Sequence, residues 1–184
     1  MLYIDWGDMP AWVAAVGTVG TLVAALLQIR SERLARKKLE EQKQATGIST
    51  WIGGEASPQS TGVVIQNMSN APIYDVVITL VIAAGAGPQT GEEVAKLSDQ
   101  QGPSVPSMRR ATSIVPPGKY MTELPSSWGG MNRKPGIEIA FTDFQGNHWV
   151  RRYNGQLGRL EKDALQTMHY PLPFGDFSLS SLGS

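Results

Sequence analysis

Hydrophobic positions follow two contrasting patterns along this chain. Residues 11–29 form one apolar run, AWVAAVGTVGTLVAALLQI, with no charged residue in nineteen positions. At about 1.5 Å per residue, a helix of this length measures about 28 Å, close to the ~30 Å hydrocarbon core of a bilayer. From residue 48 onward, apolar and polar residues alternate in short segments, which is typical of β-strands. The pattern predicts a transmembrane helix at residues 11–29 followed by a β-rich domain.

The apolar run has two other interpretations, a buried helix of a soluble domain and a helix lying in the membrane interface. An interfacial helix needs a polar face, and Thr18, Thr21 and Gln28 do not form one. The large side chains that favour membrane insertion are Trp12, Val13, Val16, Val19, Leu22, Val23, Leu26, Leu27 and Ile29. Small residues at a four-residue spacing allow two helices to approach closely, and those expected at such a contact are Gly17, Gly20, Thr21 and Ala24.

Positive charge is concentrated directly after the apolar run. Residues 30–43 contain six basic and three acidic residues, a net charge of +3, whereas residues 1–10 contain no Lys or Arg. By the positive-inside rule, residues 1–10 lie outside the cell and the C-terminal domain lies in the cytoplasm. The residues expected to set this topology are Arg30, Arg33, Arg36, Lys37 and Lys38. Residues 30–46 are rich in helix formers, which predicts a basic helical stalk that also contacts anionic lipid.

The alternating segments predict an antiparallel β-sandwich, immunoglobulin-like in architecture, over residues 47–160. About seven strands are expected, beginning near Ile48, Gly62, Ile73, Ala111, Lys119, Gly136 and His148. Residues 84–107 and 125–135, rich in Gly and Pro, are predicted as long loops, the first with one helical turn around Glu92 to Leu97. A short helix is expected over residues 157–167, and residues 161–184 are expected to form a helix and a partly disordered tail.

The segment 136–142 gives the clearest assignment of side chains to faces. Ile137, Ile139 and Phe141 are expected to point inward, and Glu138 points outward. The chain then reverses, and Gly146 is expected to adopt a positive φ within the turn.

Three pieces of the sequence carry a resemblance to a known group of proteins. They are the apolar and basic segment AWVAAVGTVGTLVAALLQIRSERLARKK followed by Trp51, the segment IQNMSNAPIYDV at 65–76, and the segment FTDFQGNHWVR at 141–151. Taken in this order, they resemble a group of short, uncharacterised bacterial single-pass membrane proteins with an N-terminal helix, a charged stalk and a small β-sandwich. The second piece has Ile65 where the group's pattern has Val. The resemblance implies a fold and a topology, but no activity.

The residue types that carry metal or acid–base chemistry are sparse in this sequence. It contains no cysteine, two histidines and no net charge. No sequence motif indicates a nucleophile elbow, a phosphate-binding loop or a thiolate metal site. Balanced charge after residue 46 gives no electrostatic footprint for nucleic acid. We therefore predict a protein without catalytic residues, metal or other cofactor.

Three residues are candidates for contact with a partner protein. Trp128 lies in a Pro- and Gly-rich loop, whereas Trp149 and Arg151 lie on the last predicted strand. The other interpretation of the strand pair is that Trp149 packs in the core and Arg151 pairs with a carboxylate such as Glu138.

These features favour a non-enzymatic protein of the cell membrane whose cytoplasmic β-sandwich binds an unknown protein partner, which could be a second copy of itself. A second hypothesis is a ligand-sensing or enzymatic domain that uses the 84–107 and 125–135 loops. A third is a small membrane-active or phage-related accessory protein. A pocket lined by residues with shifted pKa values would favour the second hypothesis over the first, and an exposed apolar patch would favour the first.

Overall fold

The computed structural model describes residues 25, 27–33, 42–57, 60–101, 108–125 and 132–182. The chain divides into two compact units, Met1–Glu40 and Glu41–Ser184. In the first unit the described residues are helical, and Leu27 and Ile29 are exposed. Within the described residues, no helix combines the length and the apolar character that crossing a membrane requires. Most of the predicted span at 11–29 lies outside those residues, as do Gly17, Gly20, Thr21 and Ala24.

The second unit is mainly β and consists of two antiparallel sheets. A short helical segment at residues 42–46 leads into the first strand. The elements that follow are β1 (Ile48–Ser57), β2 (Ser60–Asn67), β3 (Ile73–Ala84), α1 (Gly91–Gln101), β4 (Arg109–Val115), β5 (Gly118–Pro125), β6 (Lys134–Thr142), β7 (His148–Arg151), β8 (Leu157–Arg159), α2 (Ala164–Thr167) and β9 (Ser180–Ser181). The four-stranded sheet has the order β1-β2-β5-β9, and the five-stranded sheet has the order β4-β3-β6-β7-β8. The sandwich-like arrangement expected from the sequence is therefore present.

The main hydrophobic core lies between the two sheets. From the four-stranded sheet it receives Ile48, Val63 and Ile65, and from β3 it receives Val76, Ile78 and Leu80. Phe141 is fully buried in the same core, as its alternating segment predicts. The turn after β6 has Gly146 at φ 82°, which confirms the positive φ expected there. Burial of these branched and aromatic side chains is the main favourable contribution to the stability of the fold.

A second hydrophobic cluster covers the other face of the five-stranded sheet. Val77, Ala140 and Val150 contribute from the strands, and Ala164 and Met168 contribute from α2 and its end. This sheet is therefore buried on both faces, and β3 is a nearly continuous run of buried residues. The prediction that Glu138 points outward to solvent is wrong for this reason. Glu138 does lie on the face opposite the main core, but its exposed fraction is only 1%.

The connections differ from the sequence-based expectation in two places. In the predicted loop at 84–107, the single helical turn expected around residues 92–97 is part of the longer, eleven-residue helix α1. Its buried residues Val94 and Ala95 hold it against the sandwich. Of the helix expected over 157–167, only Ala164–Thr167 is helical, and Leu157–Arg159 forms β8. A turn with Gly155 at φ 85° reverses the chain between β7 and β8, so residues 157–159 extend the sheet.

The C-terminal segment closes one side of the sandwich. Phe177 is buried in the main core, and Ser180 and Ser181 pair with β5. Asp176 accepts hydrogen bonds from the backbone N–H and the hydroxyl of Ser113 on β4, at 2.6 and 2.8 Å. Over its described residues, the segment predicted to be partly disordered therefore connects β4, at the edge of one sheet, with β5 of the other sheet.

Candidate functional site

The first of two sites is the junction where the helical segment 42–46 meets the sandwich, and Gln44 is its centre. The Gln44 side chain is 7% exposed. Its Nε2 donates to the carbonyl oxygens of Ala71 and Pro72, at 3.2 and 3.0 Å, and its Oε1 accepts from the backbone N–H of Phe144 at 3.0 Å. Because both ends of the amide are used, Gln44 joins the turn between β2 and β3 to the turn between β6 and β7.

Arg151 on β7 holds the end of the same helical segment. One guanidinium nitrogen donates to the carbonyl oxygens of Ala45 and Thr46, at 2.8 and 3.1 Å, and the other donates to Gly155 at 3.0 Å. Carbonyls at a helix C-terminus lack intrahelical donors, so a cation at this position satisfies them and complements the helix dipole. Partial burial lowers the pKa of Arg151 from its ordinary value. The predicted pairing of Arg151 with Glu138 is wrong, because Arg151 binds backbone carbonyls instead.

The turn between β6 and β7 is organised by Asp143. Its carboxylate accepts from the backbone N–H groups of Gln145 and Asn147, at 2.9 and 2.8 Å, and from the indole N–H of Trp149 at 2.8 Å. Trp149 is 2% exposed. Of its two sequence interpretations, the structure shows packing in the core, with the polar edge of the ring satisfied by Asp143.

The turn between β2 and β3 is organised in a similar way by Asn67. Its amide donates to the carbonyl oxygens of Ala71 and Val115, at 3.0 and 3.2 Å, and its oxygen accepts from the backbone N–H of Ser69 at 3.0 Å. The two sequence segments 65–76 and 141–151 therefore both supply residues around Gln44. Sequence reasoning missed Gln44 itself, because a single glutamine in a charged helical segment has no distinguishing pattern.

A second site combines charges on α1, β6 and the residue after β7. Arg152 lies 2.9 Å from the Glu138 carboxylate and donates two hydrogen bonds to the Glu92 carboxylate, at 2.7 and 2.9 Å. The backbone N–H of Gly91, at the start of α1, donates to Glu138 at 2.8 Å. A carboxylate at a helix N-terminus is stabilised by the unpaired N–H groups and the helix dipole. Glu138 thereby fastens α1 to the face of the five-stranded sheet.

The pKa values of the three charged groups reflect this arrangement. Burial raises the pKa of Glu138, and the Gly91 N–H and the Arg152 charge offset only part of the effect. Partial burial also raises the pKa of Glu92, but hydrogen bonds from Arg152, from the Glu92 backbone N–H and from Thr90, together with the Arg152 charge, outweigh it. The net pKa of Glu92 therefore lies below its ordinary value. The hydrogen bond to Glu92 raises the pKa of Arg152, which therefore stays charged at any physiological pH.

An open cleft of about 630 Å³ lies beside this charged cluster. Its lining includes Glu92, Arg152, Arg159, Lys162, Gln166 and His169. The charges are of both signs, and Arg152 is already engaged by two carboxylates. Within the described residues, no group of three or more His, Asp or Glu side chains is placed to hold a metal ion. The cleft thus combines a polar wall with a charge cluster in which Arg152 is paired with both carboxylates. Oε1 of Glu138 is buried and has no hydrogen-bond partner among the described residues.

Most of the residues singled out from the sequence lie outside the two sites. Among the anchor and topology residues, Leu27, Ile29, Arg30 and Arg33 fall in the described helical part of the first unit. Those outside the described residues are Trp12, Val13, Val16, Val19, Leu22, Val23, Leu26, Arg36, Lys37, Lys38 and Trp128. Of the candidates for partner contact, Trp149 and Arg151 belong to the junction. Their roles there are internal, because the indole is buried and the guanidinium binds carbonyls.

Neither a protein-family model nor a curated protein matches the chain. Among solved structures, the chain is similar to the Salmonella enterica trimeric lipoprotein SadB, at 10% sequence identity and a TM-score of 0.26. The match covers 76% of this chain and 96% of that chain. A likeness at this level carries no argument about fold or function.

The junction predicts a specific stability effect for Gln44→Leu. The substitution keeps the side-chain volume but leaves the Ala71 and Pro72 carbonyls and the Phe144 N–H without their partner. Unsatisfied buried groups should lower the free energy of unfolding by about 1 to 3 kcal/mol. Urea denaturation measures the loss. Gln42→Leu, at an exposed position in the same helical segment, is the matched control and should change stability by less than about 0.5 kcal/mol. Equal effects of the two substitutions would contradict the role of Gln44.

The charged cluster predicts a loss of stability in Arg152→Ala that depends on pH. Removing the guanidinium leaves Glu138 buried without a counter-charge, which should lower the free energy of unfolding by about 3 kcal/mol at neutral pH. The pKa of Glu138 then rises further above 4.5, its ordinary value, so the folded state takes up a proton more readily than the unfolded state. The loss of stability should therefore shrink as the pH falls from 7 toward 4.5.

The double variant Arg152→Ala/Glu138→Gln provides the control for this prediction. Its neutral amide can still accept from Gly91 N–H but carries no buried charge. Thermal unfolding across this pH range should show a smaller loss at pH 7 and a weaker pH dependence than Arg152→Ala. A double variant as unstable and as pH-dependent as the single variant would contradict the assignment to Glu138.

Proposed function

We propose that this chain is a non-enzymatic membrane protein that presents its β-sandwich to a protein partner on the cytoplasmic side. The observation that carries the proposal is the junction, where Gln44 and Arg151 bind the end of the segment that leads from the predicted anchor. A domain that is held at the membrane by its N-terminal helix benefits from such an attachment. Firm seating of residues 42–46 prevents the helical segment from unravelling into a loose linker.

The topology follows from the charge distribution rather than from the fold. Six basic residues lie within residues 30–43, after the apolar run, and none lies in residues 1–10. Each Lys or Arg is costly to move across a bilayer, so the basic flank and the sandwich stay in the cytoplasm. Residues 1–10 contain two carboxylates, Asp5 and Asp8, and no basic side chain, which is a small charge to translocate.

The outer face of the four-stranded sheet supports a protein partner. Trp51, Val64 and Met121 are aligned across β1, β2 and β5, and Trp51 is 38% exposed. The ammonium of Lys119 lies 5.5 Å from the centre of the Trp51 ring. Exposed aromatic residues beside a cation are common at interface hot spots. Val64 is buried, so the accessible part of this apolar surface is Trp51 with the half-buried Met121, and it favours a binding domain over an enzyme.

Ligand sensing remains the second candidate function because of the cleft beside Arg152. The cleft has the size of a small-molecule site, and Glu92 and Arg152 on its wall have shifted pKa values. Ion pairing between these groups accounts for the shifts without a ligand, so the cleft gives the weaker support.

The predicted topology can be measured with single cysteines, because the chain contains none of its own. Leu2→Cys should react with a membrane-impermeant maleimide in intact cells. Gln145→Cys, exposed in the turn between β6 and β7, should react only after lysis. Carbonate-washed membranes should retain the full-length chain and release a chain that starts at Glu41. Labelling of Gln145→Cys but not Leu2→Cys in intact cells would show the inverted orientation, and release of both chains would exclude the anchor.

The partner surface predicts that Trp51→Glu abolishes recovery of a stoichiometric partner protein with the tagged full-length chain. The added charge lies at the centre of the proposed contact and should disrupt its apolar packing. Tyr153→Glu places the same charge at a side chain of similar exposure, 40%, outside the four-stranded sheet, and should leave recovery unchanged. Affinity capture followed by mass spectrometry makes the comparison. Recovery that survives Trp51→Glu would place the contact elsewhere.

A further inference from the structure

The C-terminal segment that follows Gly175 closes an otherwise open seam of the sandwich. The seam lies between β4, at the edge of the five-stranded sheet, and β5 in the four-stranded sheet. Residues 176–182 run along it as an extended chain, with Phe177 in the main core and Leu179 packed against that core. Two open grooves flank this segment, one of about 240 Å³ and one of about 320 Å³. The segment is thus a separate strip of chain laid into a groove between two edge strands.

The contacts that hold this strip are few and are all made at the seam. Ser180 and Ser181 pair with Met121 and Tyr120, and the Leu182 N–H donates to the Lys119 carbonyl at 2.9 Å. Beyond Met121, β5 has no strand partner on this side among the residues that the structure describes. A segment held by a short ladder and one buried aromatic belongs to the low-stability end of a fold, where local opening is easiest.

Gly175 is placed as a hinge for this strip. The residue before it, Phe174, packs with Tyr170 against the cluster beneath α2, so the chain is held firmly up to that point. A Cβ built on Gly175 would meet no atom within 4 Å. Packing therefore does not require a glycine at this position. The property that distinguishes glycine here is the conformational freedom of its backbone. Rotation at Gly175 would keep the Tyr170–Phe174 contact, whereas Asp176 and Phe177 would leave their contacts in the seam.

We propose that the seam between β4 and β5 accepts the C-terminal strip, residues 176–182, of a second copy of this chain. Every contact the strip makes in its own seam is available in the identical seam of a neighbour, so exchange loses no interaction. The strip fits the seam through three side chains. Asp176 accepts from the N–H and hydroxyl of Ser113, Phe177 is buried in the main core, and Leu179 packs against that core.

This proposal rests on the proposed function in one respect. Attachment to a membrane confines copies to a surface and raises their local concentration, which favours binding between chains. The mode of binding is β-augmentation, in which backbone ladder bonds hold an extended segment and alternate side chains enter pockets.

The test uses two full-length chains with different tags, produced together in one cell. One carries Met121→Cys and the other Ser180→Cys, which are directly opposite each other in the β5–β9 ladder. A short bis-maleimide should join the two chains, and the product is recovered through one tag and detected through the other. A pair in which Gln145→Cys, in a turn away from the ladder, replaces Met121→Cys gives the background level of product. Adding Phe177→Ala to the Ser180→Cys chain should reduce the product to this background level.

A third chain that carries both Met121→Cys and Ser180→Cys reports whether the strip is seated at all. Cross-linking within this chain together with no product between differently tagged chains would overturn the exchange. Absence of both products would overturn the seating of the strip on β5 and the proposal with it. A product between chains that persists in Phe177→Ala would also overturn it, because that product arises from collision rather than from the seam. Carbonate extraction of the same samples tests the membrane anchor separately, so the two proposals fail independently.

Discussion

The binding of Gln44 between the β2–β3 connection and the β6–β7 hairpin turn is the interaction on which the rest of the second unit depends. One side chain amide, almost fully buried, serves carbonyls from the β2–β3 turn and an N–H from the β6–β7 turn. The β2–β3 connection leads from the four-stranded sheet to the five-stranded sheet, whereas the β6–β7 turn lies within the five-stranded sheet. The amide therefore ties the sheets together at one end of the sandwich and fixes the helical segment to both. Arg151 completes the junction through the last helical carbonyls.

The helices α1 and α2 impose a second constraint, because they cover the face of the five-stranded sheet that points away from the main core. Met168 and Ala164 cover Val77, Ala140 and Val150, and Glu138 on the same face of the sheet is buried from solvent. A buried carboxylate is tolerated only with compensating groups. Here α1 supplies an N-terminal N–H and Arg152 supplies a charge, so the position of α1 and the ionisation of Glu138 are linked. The same link shapes the wall of the cleft beside Arg152 through Glu92.

The local patterns in the sequence were sufficient to predict the β6–β7 hairpin but not the distribution of strands between the sheets. The sequence also predicts a hairpin of β2 with β3, and this is wrong, because the two strands lie in different sheets. Alternation placed Phe141 inward, and the turn chemistry placed Gly146 at positive φ, because both follow from residues within a few positions. The face occupied by Glu138 was also correct, yet its burial depends on α1 and α2, which contact it from distant parts of the chain. The continuous run VVITLVIA in β3 did carry a signal, since a strand buried on both faces loses its alternation.

The junction could be predicted in its parts but not in its assembly. The segments 65–76 and 141–151 were both recognisable in the sequence. Their residues Asn67, Asp143 and Arg151 make the hydrogen bonds that organise the junction. Which partner each group takes depends on the three-dimensional approach of residues about 100 positions apart, as for Gln44 and Phe144. For the same reason neighbouring arginines took unexpected roles, with Arg152 rather than Arg151 binding Glu138.

Native-state hydrogen exchange tests most directly whether the junction and the sandwich form one cooperative unit. The amides to follow are those of Phe144, bound to Gln44, and Gly47, bound to the Gln44 carbonyl, with Leu80 of β3 as the reference for the core. If the junction is integral to the fold, all three exchange with the same free energy and the same denaturant dependence, because each opens only in global unfolding. Exchange of Phe144 and Gly47 that is orders of magnitude faster than that of Leu80, and insensitive to denaturant, would contradict the account.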